Sequence, residues 1–114
     1  MAARSAASPS FAVLTMFTSS PEHRDRFVTL IHDFVAAQAI TRPGLFSFDI
    51  FTDEGDEHIV TLAQWRDRAA FEDFKRTDSG RHASELALVL RPIVLFLHPK
   101  ATLGETPMPL DRAG

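Results

Sequence analysis

An α+β fold of the ferredoxin-like class is what the chain predicts, on three observations. Its segments run in the order β-α-β-β-α-β, the split βαβ order. A polar turn around Gly55 joins two neighbouring β-rich segments into an antiparallel hairpin. The first and last strands, "FAVLTMF" and "PIVLFLH", are apolar on both faces. All of this lies within residues 11–99 of a 114-residue chain, a length that predicts one domain. Residues 1–10 are Ala/Ser/Pro-rich and predict a disordered N-terminal tail; 100–114, punctuated by Gly and Pro, predict a C-terminal tail.

Residues 11–17 are a short apolar run of β-formers. Ser20 before Pro21 starts a helix, with serine as the cap and proline at the first helical position. Phe27, Leu30, Ile31 and Phe34 then repeat at one-face helical spacing, and the helix should end near Ile40, before Pro43–Gly44. In "LFSFDIF" (45–51), alternation puts Phe46, Phe48 and Ile50 on one side, with Ser47 and Asp49 on the other. The strand "HIVTLAQW" follows the turn. Asp67 can cap a short helix carrying Phe71 and Phe74. After a break at "TDSG", Ala83, Leu86, Ala87 and Leu90 share one helical face, and residues 92–98 form the last strand.

A ferredoxin-like sheet carries its helices on one face only, yet the first and last strands of the chain are apolar on both. At about 25 cal/mol per Å², leaving several Val, Leu and Phe side chains in water would cost many kcal/mol. A second copy packed sheet to sheet resolves this, so a symmetric homodimer is expected.

Composition narrows the functional classes. Apolar residues make up 45% and charged residues 24%, ordinary values for a soluble protein, and the formal charge of −3 gives no support to nucleic-acid binding. The chain has no cysteine, which removes disulfides, thiolate catalysis and Cys-based metal sites. No secretory signal or membrane-length apolar run is present, so the expected setting is cytoplasmic, without membrane partners. There is no metal-site spacing and no Gly-rich dinucleotide fingerprint; no cofactor is expected.

The only tryptophan, Trp65, closes the third strand. Alternation places Ile59, Thr61, Ala63 and Trp65 on one face. The small residues beside the indole leave room between sheet and helices, which either the helical phenylalanines fill as ordinary core or a flat apolar guest occupies. In the second reading Ile59, Ala63, Phe34, Phe71, Phe74 and Leu86 bind substrate, and Thr61 donates a hydrogen bond to it. Histidine titrates near neutrality without help, so His82 and His32, each next to an inward helical stripe, are the candidate proton acceptors. His23 and His58 are expected at the surface.

"RPGLFSFDIFTDEGDEHIVTLAQWRDRAAFEDF" resembles the central segment of the antibiotic biosynthesis monooxygenase (ABM) domain family. Family members place a Pro-Gly before the second strand and a Trp at the end of the third, ahead of a short helix with an aromatic; here these are Pro43–Gly44, Trp65 and Phe71. The resemblance implies a homodimeric α+β barrel. It also implies a cofactor-independent monooxygenase that uses O2 to oxidise a small aromatic substrate, a polycyclic phenol, anthrone or quinol of aromatic polyketide metabolism. A polyketide cyclase or isomerase, or a non-catalytic aromatic-ligand-binding dimer, are the alternatives on the same scaffold. The quinone-forming members often carry Asn where this chain has Thr61, Tyr where it has Phe71, and Arg near Ala87. Haem-degrading members carry His where this chain has Lys75.

Overall fold

A computed structural model describes residues 8–55 and 57–104. The elements are β1 (Phe11–Thr18), α1 (Pro21–Phe34), a π-helical segment (Val35–Ala39), β2 (Leu45–Thr52), β3 (His58–Trp65), α2 (Arg68–Lys75), α3 (Asp78–Leu90) and β4 (Ile93–Leu97). The strands form one antiparallel sheet in the order β2-β3-β1-β4. This is the expected ferredoxin-like α+β fold. The two expected tails lie largely outside the described residues. Within them, Ser10 is anchored: its N–H reaches the carbonyls of Trp65 and Arg66, both at 3.2 Å, and its hydroxyl donates to Arg66 O at 2.7 Å.

Several local details differ from the sequence expectation. Ser20 stands at the N-cap of α1 without a side-chain capping bond; Pro21 in the first turn has no N–H to satisfy, which lowers the demand for one. The first helix does not run as α-helix to Ile40. From Val35 it widens into one π turn, in which Ile40 N–H bonds Val35 O at 2.8 Å across five residues, and Val35 and Ala39 are both buried. In β2 the pairing with β3 slips between Leu45 and Ser47, so Leu45 faces Trp65 and Ser47 faces Gln64. Phe46 is the extra residue of a β-bulge and is 40% exposed. The predicted alternation therefore holds for Phe48 and Ile50 but not for Phe46, and Leu45 joins the Trp65 face instead.

Two glycines allow close approaches. Gly44 has φ +87°, and a Cβ there would lie 2.5 Å from Ala70 Cβ. Its carbonyl accepts from Arg66 N–H at 2.6 Å, tying the start of β2 to the end of β3 beside Trp65. At Gly80 a Cβ would meet Phe74 O at 2.0 Å and Lys75 Cα at 2.7 Å, so α2 and α3 touch backbone to backbone. The "TDSG" stretch is a cap and first turn. Thr77 Oγ1 accepts from Gly80 N–H at 3.0 Å and donates to Phe74 O at 2.6 Å. Asp67 caps α2 as expected, accepting from Ala70 N–H at 2.9 Å.

The β2–β3 turn is organised by Asp53. One carboxylate oxygen accepts from the N–H groups of Glu57 and His58, at 2.9 and 3.2 Å; the other lies 2.6 Å from His58 Nδ1. The hydrogen bond with the His58 side chain, followed by those backbone bonds, holds the Asp53 carboxyl below its ordinary 3.8. A depressed carboxyl contributes stability that is present above 3.8 and is lost as pH falls through the lower folded value. Asp53→Asn should therefore be less stable than the parent at neutral pH, with the gap closing below about pH 4. Urea unfolding at a series of pH values checks this.

Register divides the sheet into two faces. Phe11, Val13, Thr15 and Phe17 of β1 stand with Trp65, Ala63, Thr61 and Ile59 of β3, and with Phe96 and Val94 of β4, toward the helices. Leu14, Met16, Val60, Leu62, Ile93 and Leu95 point the other way. Ile93 and Leu95 are 55% and 49% exposed there, and Phe51 of β2 is 52% exposed. The helix-free face is thus apolar across β4, β1 and the middle of β3, with Ser47, Asp49 and Gln64 as its polar corner.

Candidate functional site

The core proper is small. Phe11, Val13, Ala63, Trp65 and Ala70 are buried together, with Leu45, Phe48, Phe71 and Phe74 packed against them. The Trp65 indole meets Phe71 edge-on and Phe74 at a tilt, each with ring centroids at 5.8 Å. This closes one end of the space between sheet and helices.

Beyond that plug the helices stand off the sheet. No residue of α1 is buried, and in α3 only Gly80 is. The gap is a cavity of about 540 Å³. Its floor is Val13, Thr15, Phe17, Leu45, Phe48, Thr61, Ala63 and Trp65; its roof is the predicted stripe of α1, the buried side of the π turn, and Ala83, Leu86, Ala87 and Leu90 of α3. The cavity opens to solvent, and its volume lies within the roughly 300–1,000 Å³ usual for small-molecule sites, which leaves room for an occupant. Alanines at 39, 63, 83 and 87 make the room.

Polar groups are few. Thr61, 5% exposed, lines the floor. Trp65 is 3% exposed, and its indole Nε1 is buried without a hydrogen-bond acceptor. A buried indole N–H usually has a partner, and leaving one unmade costs about 1–3 kcal/mol. His82 lines the roof, its ring centroid 6.4 Å from that of Phe34.

Of the sequence-predicted residues, Trp65, Thr61, Ala63, Phe34, Phe71, Phe74, Leu86 and His82 come together around the cavity. Ile59 shares their face but is fully buried and is not part of the lining. His32 does not reach it: its side chain is 70% exposed and its Nδ1 lies 3.1 Å from Asp33 Oδ1. One residue along a helix is a rotation of about 100°, which carries His32 away from the Ile31 stripe. The sequence reading missed Val13, Thr15 and Phe17. Their signal was available in the ferredoxin-like order itself, which sets β1 beside β3 and repeats the Trp65 face on β1. Leu45 was hidden by the bulge.

Among the described residues, no group of three or more His, Asp and Glu is placed to hold a metal ion, and no helix is long and apolar enough to cross a membrane.

An antiparallel ferredoxin-like sheet with its helices on one face defines the class, and solved structures share that fold. A monooxygenase from the gene ActVA-Orf6 of Streptomyces coelicolor, in complex with nanaomycin D, superposes with a TM-score of 0.71 at 20% identity, covering 86% of this chain and 94% of that one. SnoaB, a cofactor-independent oxygenase from Streptomyces nogalater, gives 0.63 at 19% identity over 85% and 99% of the two chains. A conserved protein from Methanosarcina mazei Go1 gives 0.70 at 14% identity, again over 85% and 99%. No curated protein sequence matches the chain. The antibiotic biosynthesis monooxygenase family pattern matches residues 10–86, and the chain belongs to that family.

Proposed function

We propose that the protein is a cofactor-independent monooxygenase that oxidises a polycyclic phenol, anthrone or quinol with O2, in aromatic polyketide metabolism. The observation that carries the reading is the apolar cavity of about 540 Å³, sized for a multi-ring guest and walled by Trp65, in a chain of this family. Such a substrate brings its own reducing power. An anthrone CH2 loses a proton, the carbanion passes electrons to O2, one oxygen atom ends as the new C=O and the other leaves as water. No external reductant is needed. The chain's part is to exclude water, hold the ring flat against the sheet, accept the proton and stabilise the oxyanion. His82 is the proton acceptor in this scheme, and the Thr61 hydroxyl is the donor. His82 makes no hydrogen bond or ion pair with a carboxylate among the described residues, which favours the second reading, a cyclase, isomerase or non-catalytic aromatic-ligand-binding dimer.

Oxygen uptake separates them. The purified protein, without added metal, flavin or reductant, should consume one O2 per anthrone above the no-protein rate. Ligand binding without uptake across anthrones and dihydroxynaphthalenes overturns the oxygenase reading.

The protein acts in this reading as a homodimer, its apolar open sheet face covered by a second copy. Leu95→Lys, which sets a charge in the middle of that face, should shift the light-scattering mass from dimer to monomer at micromolar concentration. A monomeric parent protein refutes the dimer.

A further inference from the structure

We infer that Thr15 and Thr61 together form a two-hydroxyl cradle that fixes an oxygen substituent of the ligand against the sheet floor, with Thr15 as a specificity-determining residue. The inference rests on the reading of the cavity as a site for oxygen-bearing aromatics, and deepens it.

The two threonines are directly opposed in the β1–β3 register and both line the cavity. Opposed Cβ atoms in an antiparallel pair lie about 4.5–5.5 Å apart, close enough for two hydroxyls there to bond one ligand oxygen. Both side chains are β-branched and stiff at χ1, which holds the hydroxyls in place before the ligand arrives. Neither hydroxyl makes a side-chain hydrogen bond to another described residue. They are not spent on each other or on the backbone.

Around the pair the floor is Val13, Phe17, Phe48 and Ala63. The other polar lining groups are the Trp65 indole, in the closed end, and His82, across the cavity on α3. A hydrocarbon lying on this floor would cover two hydroxyls and leave them unsatisfied. A ligand with a hydroxyl or carbonyl at that point satisfies both. A site built to bond an oxygen rejects the analogue that lacks it far more strongly than an apolar site rejects the analogue that has it. The cradle thus selects oxygenated rings and sets which ring edge faces the sheet centre, presenting the opposite edge to His82.

The test compares 1-naphthol with naphthalene, read as dissociation constants from Trp65 fluorescence. In Thr15→Val the 1-naphthol constant should rise about 3- to 10-fold, the loss of one hydrogen bond, while naphthalene binds unchanged or tighter. Thr61→Val should behave alike, and Thr15→Ser should retain the parent's naphthol affinity. Thr15→Ala removes the same hydroxyl if the valine variant does not fold. Unchanged naphthol binding in Thr15→Val, or equal weakening of both ligands, overturns the cradle alone. A parent protein that binds neither ring overturns the aromatic-site reading and the cradle with it.

Discussion

Gly80→Ala is expected to destabilise the domain by about 3 kcal/mol or more, the upper end of overpacking costs. The added methyl would stand 2.0 Å from Phe74 O and 2.7 Å from Lys75 Cα, and neither is a side chain that can swing away. Relief requires α3 to move off α2, which breaks the Thr77 cap and carries the α3 side of the cavity roof with it. For a domain of this size each kcal/mol is worth roughly 4–8 °C, so the melting temperature should fall by about 12 °C or more. Gly55→Ala is the internal control, since a Cβ at Gly55 meets nothing within 4 Å. Its melting temperature should stay close to the parent's, as for other substitutions away from packed sites. Thermal unfolding followed by circular dichroism reads both.

Trp65→Ala should cost about 3–5 kcal/mol, the usual loss for a large aromatic in a core. The indole is 3% exposed and stops one end of the cavity against Phe71 and Phe74, so its removal also lengthens the void. Trp65→Phe keeps a ring at the plug and removes an N–H that has no acceptor. It should cost much less in unfolding experiments, because the donor it deletes was already unsatisfied. Under the proposed function Trp65→Phe should also keep most of its turnover, since the indole N–H is buried and does not face the cavity. A phenylalanine variant with parental stability and parental oxygen uptake would show that the indole N–H takes no part.

Much of the fold was legible because the strands and helices obey their periods. The stripe Phe27–Leu30–Ile31–Phe34 and the stripe Ala83–Leu86–Ala87–Leu90 both line the cavity as the helical spacing requires. Alternation along β3 is clean, and its burial follows it residue by residue. What escaped has physical causes. "FAVLTMF" has no alternation to read, because both faces are apolar, so Thr15 stood out no more than its neighbours. The π turn changes which carbonyl a backbone N–H bonds and leaves no mark in hydrophobicity. His32 and His82 each sit one position from an inward stripe. Only the rotation of each helix over the sheet decides which imidazole reaches the cavity, and sequence spacing does not contain that rotation.

The bulge at Phe46 bears on how this chain is aligned with its relatives. One surplus residue in β2 means that everything before it and everything after it belong to two different frames. At 14% to 20% identity a sequence alignment has little to fix where such a single-residue insertion falls. A gap placed two or three positions later would pair Ser47 and Phe48 with residues of the opposite face and exchange floor for surface over that short stretch. Against a relative whose second strand has no bulge, Pro43–Gly44 and Leu45 belong in the frame of Trp65 and Ser47 onward in the frame of Gln64, with Phe46 left unmatched; against one that bulges at the same place, Phe46 pairs with the bulged residue.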